Sequence, residues 1–273
     1  KGHLYALDCD QSAIDESTKR LSGIGSNFTC IHTPFERLSQ VLDEQGVSEV
    51  DGIIMDLGVS SPQFDDGSRG FSYRYDARLD MRMDQSQELD AWTVVNTYSQ
   101  EELTGLLKSF GQEPFAHKIA QQIVQTRRKH PIDTTFQLVD VIKESLPQKV
   151  LNKKGHPAKR TFQAIRMEVN GELPQLESAL HQGLHRLAVG GRLCVITFHS
   201  LEDRMVKQTF KQVATPPKVN RRLPVIGEER LEYRLINRKP ILASEAELAE
   251  NNRAHSAKLR GIERLRNFEN EAK

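Results

Sequence analysis

The first 56 residues alternate between short apolar segments and amphipathic segments, and this alternation constrains the fold most. The apolar segments are HLYALDCD (residues 3–10), NFTCIHTPF (27–35) and VDGIIMD (50–56). Between them, SAIDESTKRL carries apolar residues at helical spacing, and RLSQVLDEQG ends on Gly46, a common helix stop signal. This order predicts an α/β fold, in which a parallel sheet is built with right-handed crossovers.

Three candidate ligand-binding side chains lie at the ends of these predicted strands: Asp8, Phe35 and Asp56. Ligands of parallel sheets bind at the carboxyl ends of the strands, and a carboxylate there commonly holds ribose hydroxyls. Asp8 fits that role; it could instead cap the next helix, although Asp10 is better placed to do so. Phe35 could stack on an adenine or pack in the core, and the sequence leaves both readings open.

A long polar loop follows Asp56 and contains Ser60, Ser61, Gln63 and Phe64. Methyl transfer from a sulfonium donor to an exocyclic amine requires in-line placement and acceptors for the N–H bonds. An aromatic ring can clamp a flipped base. The loop offers these chemical types, and a serine nucleophile is the weaker alternative because no G-x-S-x-G motif is present.

From about residue 86 the pattern becomes helical, with apolar residues at a period of 3.6 in three successive segments. We therefore predict an inserted all-helical subdomain at residues 86–157. The α/β domain would be discontinuous and comprise residues 1–85 and 158–273.

Later segments return to the α/β pattern. QKVLNKKGHPAKR (148–160) is the predicted linker, and a pair of helices follows it. GGRLCVITFHS (190–200) and SAKLRGIERL (256–265) are predicted strands, separated by a long excursion at 212–250.

Charge is distributed unevenly, although the net charge is only +1. Residues 1–100 hold 17 Asp/Glu against 8 Lys/Arg, so the remainder holds 20 acids against 30 bases. Three stretches contain bases and no acids: Lys118–Lys129, Lys149–Arg166 and Arg204–Arg222. Any one of them could be a solvated helix face, but three together favour a polyanion such as RNA. The RNA-binding candidates are Lys118, Arg127, Arg128, Lys153, Lys154, Lys159, Arg160 and Arg166.

Two further motifs have both a functional and a structural interpretation. In HPAKRTFQAIRMEVN (156–170), one helical stripe of Arg, Gln and Asn could follow an RNA backbone or form an ordinary surface helix. In TFHSLEDRMVK (197–207), His199 is a catalytic candidate beside the predicted site, although a lone histidine is more often structural. Its neighbours Glu202, Asp203 and Arg204 could form an ion-pair cluster.

Several classes of protein are disfavoured by the composition. No apolar run approaches the length needed to cross a bilayer, and no secretory leader is apparent. The three cysteines are an odd number without CxxC spacing, which suits a reducing compartment and argues against disulfides or zinc. We predict a cytoplasmic protein with no membrane association and no metal site.

Four stretches together resemble the bacterial ribosomal small-subunit RNA cytosine-N4 methyltransferase family (RsmH, formerly MraW). They are DGIIMDLGVSSPQFDDGSRGFSYRYDARLDMRMD, KRTFQAIRMEVNGEL, GGRLCVITFHSLEDRMVK and NNRAHSAKLR. The resemblance implies a Rossmann-like class I methyltransferase sheet, with the helical insertion at residues 86–157 as an RNA-recognition subdomain. It further implies S-adenosyl-L-methionine as cofactor, and N4-methylation of a cytidine in the decoding region of 16S rRNA. It matches Asp8, Phe35, Asp56 and Gln63 to cofactor-contacting positions, while Ser60, Ser61 and His199 remain catalytic candidates.

The sequence departs from the family pattern at its start. Members begin with a strand and a glycine-rich loop that wraps the methionine end of the cofactor, whereas this sequence starts at Lys1, where the second strand is expected. We therefore expect a sheet without that first strand and loop. A non-catalytic RNA-binding remnant is the alternative function, and DNA cytosine-N4 methylation is a third reading because SSPQ loosely resembles the motif of those enzymes. The partner would be the small ribosomal subunit, and the oligomeric state stays open, with a homodimer as one option.

Overall fold

The computed structural model describes residues 2–216 and 231–266. In chain order, the described strands are β1 (Leu4–Asp8), β2 (Phe28–His32), β3 (Val50–Asp56), β4 (Leu187–Thr197), β5 (Tyr233–Leu235), β6 (Ile241–Leu242) and β7 (Lys258–Arg264). The described helices are α1 (Gln11–Ser22), α2 (Leu38–Glu44), α3 (Ser61–Asp65), α4 (Ala91–Thr97), α5 (Gln100–Ser109), α6 (Ala116–Arg127), α7 (Thr135–Ser145), α8 (Gln148–Leu151), α9 (Lys159–Val169), α10 (Glu172–Arg186), α11 (Ser200–Val213) and α12 (Glu245–Glu250). Single 3-10 turns occur at residues 35–37, 67–69 and 252–256.

The described residues form two compact units, and each unit is assembled from two separate parts of the chain. The first, here called the helix-rich unit, combines Lys1–His32 with Val59–Glu172. The second, the sheet unit, combines Thr33–Gly58 with Leu173–Lys273. The chain therefore passes between the units three times.

In the helix-rich unit, β1 pairs in parallel with β2, from Leu4 opposite Phe28 to Asp8 opposite His32. Most of its core comes from helices α4, α5, α6, α7 and α9, whose apolar residues recur every three to four positions and so form one buried stripe per helix. The largest fully buried side chains of this core are Leu79, Met81, Leu103, Leu107, Ile119, Ile123, Ile132, Leu138, Ile142 and Ile165.

One predicted helical segment is divided in two. Tyr98 is extended (φ −62°, ψ 143°), and Ser99 begins α5 with a capping box. The Ser99 hydroxyl accepts from the backbone N–H of Glu102, and the Glu102 carboxylate accepts from the backbone N–H of Ser99. Because this reciprocal cap satisfies two N–H groups that a new helix start leaves unpaired, it favours a break at this point.

The sheet unit contains a mixed sheet in the order β3-β4-β7-β5, with β6 also paired to β7. The β3–β4 pair is parallel, whereas β7 runs antiparallel to β4 and β5. α11 packs against β4 and β7. Helix α10 approaches β3 and β4 closely at Gly183, where an added Cβ would lie 3.4 Å from the side chains of Leu193 and Met55. The core of this unit therefore lies between the sheet and these two helices.

The strands predicted at residues 3–10, 27–35, 50–56, 190–200 and 256–265 are all present. The expectation of one parallel sheet is corrected, however. Among the described residues, β1 and β2 form one pair, while β3 pairs with β4 in a separate sheet that the antiparallel β7 makes mixed.

Phe35 also differs from its predicted position at a strand end. β2 ends at His32, and Pro34 (φ −65°) precedes a 3-10 turn that begins at Phe35. Proline supplies no N–H for a strand ladder, which is consistent with the strand ending before it.

The remaining predictions concern segments rather than single residues. The predicted linker at 148–160 includes the short helix α8, and residues 217–230 of the predicted excursion lie outside the described residues. Residues 86–157 contain helices and loops, and the unit to which they belong also includes residues 1–32 and 59–85. The boundaries proposed for an RNA-recognition subdomain therefore stay a prediction. Among the described helices, none is long and apolar enough to cross a membrane.

Candidate functional site

The two carboxylates after β1 have different surroundings. Asp10 begins α1: its Oδ1 accepts from the backbone N–H of Ser12 (3.0 Å) and from the Ser12 hydroxyl (2.6 Å). Asp8, the last residue of β1, is exposed, and its Oδ1 accepts from the backbone N–H of Asp10 (2.8 Å). The prediction that Asp10 caps the helix is confirmed, which leaves Asp8 as the carboxylate that faces solvent at this strand end.

Asp10 is also the centre of a buried polar cluster. Its Oδ2 accepts from Nε2 of Gln63 (2.7 Å) and from Nη1 of Arg69 (3.0 Å). Burial alone would raise the pKa of Asp10, but the hydrogen bonds from Ser12, Gln63 and Arg69 together outweigh it and lower that pKa. Because the ionised form is favoured, the cluster contains a charged pair that holds the start of α1 against the loop around residue 69.

Gln63 uses both ends of its amide inside the protein. Its Oε1 accepts from the backbone N–H of Ser60 (3.0 Å), and its own backbone N–H donates to the Ser60 hydroxyl. This capping box begins α3, in which Pro62 lies in the first turn. Ser60 and Ser61 are exposed, whereas Gln63 is buried. Both serines stay catalytic candidates. The described conformation commits the Gln63 side chain to structural contacts, and its cofactor role stays a prediction.

Asp56 ends β3 in the sheet unit and is exposed. Nearby protein atoms reduce the hydration of its carboxylate and so raise its pKa, and the negative charge of Glu202 raises that pKa further. Phe35, in the same unit, is half-buried and packs against the apolar core. Its packing contacts agree with the structural reading of Phe35, while its role in stacking on an adenine stays a prediction.

His199 caps α11. Its Nδ1 accepts from the backbone N–H of Glu202, and the Glu202 carboxylate accepts from the backbone N–H groups of Phe198 and His199. Nε2 of His199 lies 3.1 Å from Oε1 of Glu202. The imidazole is thus held by helix-capping contacts, as a structural histidine would be; its catalytic role remains untested.

The carboxylate of Asp203 forms ion pairs with Arg260 (2.8 Å) and Lys258 (3.3 Å). Burial alone would raise the pKa of Asp203, but these two bases lower it overall. Asp203 therefore pairs with bases on β7 that the local sequence did not indicate, instead of forming the predicted cluster with its neighbours Glu202 and Arg204.

The eight RNA-binding candidates divide into two groups. Three of the arginines are tied to the protein itself: Arg127 donates to the carbonyls of Val95 and Tyr98, Arg160 donates to the carbonyl of Gln112, and Arg166 forms a two-point ion pair with Glu172. The other five candidates are Lys118, Arg128, Lys153, Lys154 and Lys159. Their side chains make no hydrogen bond or ion pair with the described residues. The four lysines are exposed, and Arg128 is half-buried.

Sequence reasoning missed Arg69 and the partnership of Glu202 with His199. Arg69 donates its second Nη to the carbonyls of Arg82 and Met83, so it joins two loops as well as Asp10. The only local signal is its position between Gly67 and Gly70 in a tight turn. Its partners lie 13 to 59 residues away along the chain, which a local pattern does not reveal.

The structure thus groups Asp8, Ser60, Ser61 and Gln63 in the helix-rich unit, and Phe35, Asp56 and His199 in the sheet unit. In each parallel pair one strand ends in a carboxylate, β1 in Asp8 and β3 in Asp56. The class that the fold defines is that of α/β proteins with a mixed sheet, and such strand ends are common ligand positions in that class.

The particular family follows from comparison with known proteins. The model of the MraW methylase family matches residues 1–265, and the chain belongs to this family. Curated relatives include proteins named ribosomal RNA small subunit methyltransferase H from Exiguobacterium sibiricum (51% identical, covering 97% of this chain and 85% of the relative) and Oenococcus oeni (52% identical, 96% and 85%). The relative of the same name from Limosilactobacillus fermentum is 51% identical over 97% of this chain and 85% of its own length.

Proposed function

We propose that this protein transfers a methyl group from S-adenosyl-L-methionine to the N4 amine of a cytidine in the decoding region of 16S rRNA. The observation that carries the proposal is the match of nearly the whole chain to the MraW methylase family, with relatives at about half identity that are named small-subunit rRNA methyltransferases. The described strand ends are chemically consistent with this activity.

The proposal assigns the cofactor to three residues whose side-chain chemistry suits its parts. Asp8 presents a carboxylate at the end of β1, separate from the helix-capping role that Asp10 fulfils. A carboxylate in this position suits the hydroxyls of a ribose. Phe35 supplies a half-buried aromatic ring for an adenine, and Asp56 supplies an exposed carboxylate at the end of β3.

Bound cofactor supplies a sulfonium methyl group, which the N4 amine takes up with loss of one proton. The protein then has to position the amine and to accept hydrogen bonds from its N–H groups. The exposed hydroxyls of Ser60 and Ser61 are suited to accept those bonds, and Phe64, which is 37% exposed, is suited to hold the base.

In this proposal, five basic residues bind the phosphates of the RNA substrate. They are the exposed Lys118, Lys153, Lys154 and Lys159, together with Arg128. These cations provide sequence-independent attraction for phosphates. Arg127, Arg160 and Arg166 would contribute mainly through the local structure that they stabilise. The names of the relatives do not favour the alternatives of a non-catalytic RNA-binding protein or a DNA methyltransferase.

The direct test is methyl transfer from labelled S-adenosyl-L-methionine to small ribosomal subunits that lack the modification, with nucleosides identified by mass spectrometry. We expect labelled N4-methylcytidine. Labelled cytidine methylated at carbon 5, or label that appears in duplex DNA rather than in the subunits, would refute the proposal.

The Asp8→Asn variant tests the assigned cofactor contact. Losing a charge-assisted pair of hydrogen bonds should weaken cofactor binding roughly 10- to 100-fold, measured by calorimetry. RNA affinity should be unchanged, because the substituted carboxylate lies at the cofactor end of the strand. Asp15→Asn is the matched control: Asp15 is an exposed carboxylate on α1 that contacts only Gln11 among the described residues. Equal loss of cofactor and RNA binding in Asp8→Asn would contradict the assignment.

A further inference from the structure

Tyr73 and His156 form a fixed aromatic stack in the helix-rich unit. Their ring centroids are 4.1 Å apart and their planes differ by only 4°. Tyr73 also meets the ring of Phe162 edge-on at 5.7 Å, and Phe162 is buried in the core. Because the stack is anchored in the core, the orientation of the His156 imidazole is set before any ligand arrives.

One nitrogen of this imidazole is available as a donor. Nδ1 of His156 accepts from the backbone N–H of Ala158 (3.3 Å), so the neutral ring carries its proton on Nε2. Nε2 makes no hydrogen bond with any described residue. His156 is half-buried, which leaves part of the ring accessible to a ligand.

Two cations lie near the same ring: Arg74 directly follows Tyr73, whose ring stacks on the imidazole, and Lys143 lies on α7. The nearby carboxylate of Asp76 accepts from the backbone N–H of Phe136 (3.3 Å). Burial lowers the pKa of His156, and the charges of Lys143 on α7 and Arg74 in the loop before α4 lower it further. The guanidinium of Arg74 is exposed and forms no ion pair or hydrogen bond with the described residues. Lys143 has only a long, exposed contact with Asp140 (3.7 Å). One cation without a partner among the described residues and one with only a weak, exposed ion pair can together attract an anion.

Exposed aromatic rings lie on the same elements as these cations. Phe136 is 42% exposed and precedes Lys143 by two turns on the same face of α7. Tyr75 is 51% exposed, and its backbone carbonyl is held by the hydroxyl of Thr135 (2.6 Å). Cations that contact phosphates beside rings that stack on bases are characteristic of sites for single-stranded nucleic acid.

We propose that Arg74, Lys143 and the Nε2–H of His156 bind a phosphate group of single-stranded RNA beside the exposed rings of Tyr75 and Phe136. This inference rests on the proposed function and adds a defined RNA site to it. His156 lies within the basic stretch Lys149–Arg166, whereas the other four residues lie outside the stretches that the charge pattern assigned to RNA. The site therefore extends the predicted RNA surface from helices α6, α8 and α9 to α7 and the loop at residues 73–78.

The test measures the affinity of the full chain for a labelled single-stranded RNA oligonucleotide taken from the substrate region, at several salt concentrations. We expect Arg74→Gln and Lys143→Gln each to weaken binding roughly two- to fivefold, as for loss of one exposed ion pair. Each should also reduce the slope of log affinity against log salt by about 0.7. His156→Phe keeps an aromatic ring in the stack but removes the Nε2–H donor, so it should weaken RNA binding. It also removes the Nδ1 acceptor of the Ala158 N–H, so its unfolding midpoint, measured alongside, should fall by a few degrees while the protein stays folded.

The matched control is Lys19→Gln, which removes an exposed cation from α1 in the same unit and should leave affinity and slope unchanged. If all three site variants bind RNA as this control does, the site is wrong. Competition by duplex RNA as effectively as by single strands would show that the exposed rings of Tyr75 and Phe136 contribute no base stacking, and would also overturn the proposal.

Methyl transfer by the same samples separates this inference from the proposed function. Wild-type protein that forms N4-methylcytidine, with site variants that bind RNA normally, would retain the function and reject the site. If the wild-type protein forms no N4-methylcytidine but the three variants bind RNA more weakly than the wild type, the proposed function is rejected and the RNA site is retained.

Discussion

At the scale of single residues, four aspartates at or soon after the strand ends divide into two with arginine partners and two without one among the described residues. Asp10 and Asp203 have arginine partners, and their pKa values are lowered. Asp8 and Asp56 keep exposed surface, but nearby protein atoms reduce the hydration of their carboxylates, and this is the chief reason that their pKa values are raised. A carboxyl group whose ionised form is disfavoured in the folded protein, and which has no basic partner, is a candidate for a functional role.

A matched pair of substitutions tests this division. Asp56→Asn should leave the free energy of unfolding at pH 7 equal to or above that of the wild type, because it removes a charge that burial and Glu202 disfavour. Asp203→Asn should lower it by about 1–3 kcal/mol, because Arg260 and Lys258 lose their common partner. Urea denaturation measures both values. A larger loss in Asp56→Asn than in Asp203→Asn would contradict the division.

At the scale of elements, the sequence predicted well what depends on local pattern. The strands were found by their apolar runs and the helices by their period, and Asp10 was recognised as a cap because capping involves neighbours along the chain. Contacts between distant parts of the chain leave no local signature and are not predicted. Examples are the pairing of β3 with β4 and the contacts of Asp10 with Gln63 and Arg69, which lie 53 and 59 residues away. The strand-end prediction for Phe35 is wrong because it extends β2 through Pro34 to the next aromatic residue, whereas the strand ends at His32.

The turn that carries Arg69 offers a test at this scale. Gly70 has φ +73°, and an added Cβ would lie 2.5 Å from the carbonyl oxygen of Arg78. Gly70→Ala should therefore lower the free energy of unfolding by about 2 kcal/mol or more, from the left-handed backbone and the clash together. Gly105→Ala is the control: Gly105 lies inside α5 with nothing within 4 Å, and alanine there should add about 0.5–1 kcal/mol. Thermal unfolding of the two variants should shift in opposite directions.

At the scale of the whole molecule, acid should destabilise the protein through its paired aspartates. For Asp10, Asp80, Asp90 and Asp203, burial alone would raise the pKa, but hydrogen bonds and nearby arginines outweigh it and lower the folded-state value. Their contribution to stability is therefore fully present above the unfolded-state pKa near 4 and is lost as the pH falls through the lower folded-state values. Denaturation midpoints measured from pH 7 to pH 3 should fall most steeply below about pH 4.

The control for this prediction is Asp10→Asn, which cannot gain the proton and should show a shallower decline over the same pH range, from a lower starting stability. A wild-type midpoint that stays constant between pH 5 and pH 3 would show that these ion pairs contribute little to the folded state.

The interleaving of the two units has a consequence for the order in which the chain can acquire its structure. β3 is complete by residue 56, but its parallel partner β4 begins at Leu187 and the antiparallel β7 at Lys258. During synthesis from the N-terminus, β3 therefore has no strand partner until residues 57–186 have been made. Nearly all of the helix-rich unit can fold in that interval. A defect in the helix-rich unit would prolong the exposure of an apolar strand edge whose partner has not yet been made. Substitutions there can consequently lower the yield of folded protein without touching either sheet.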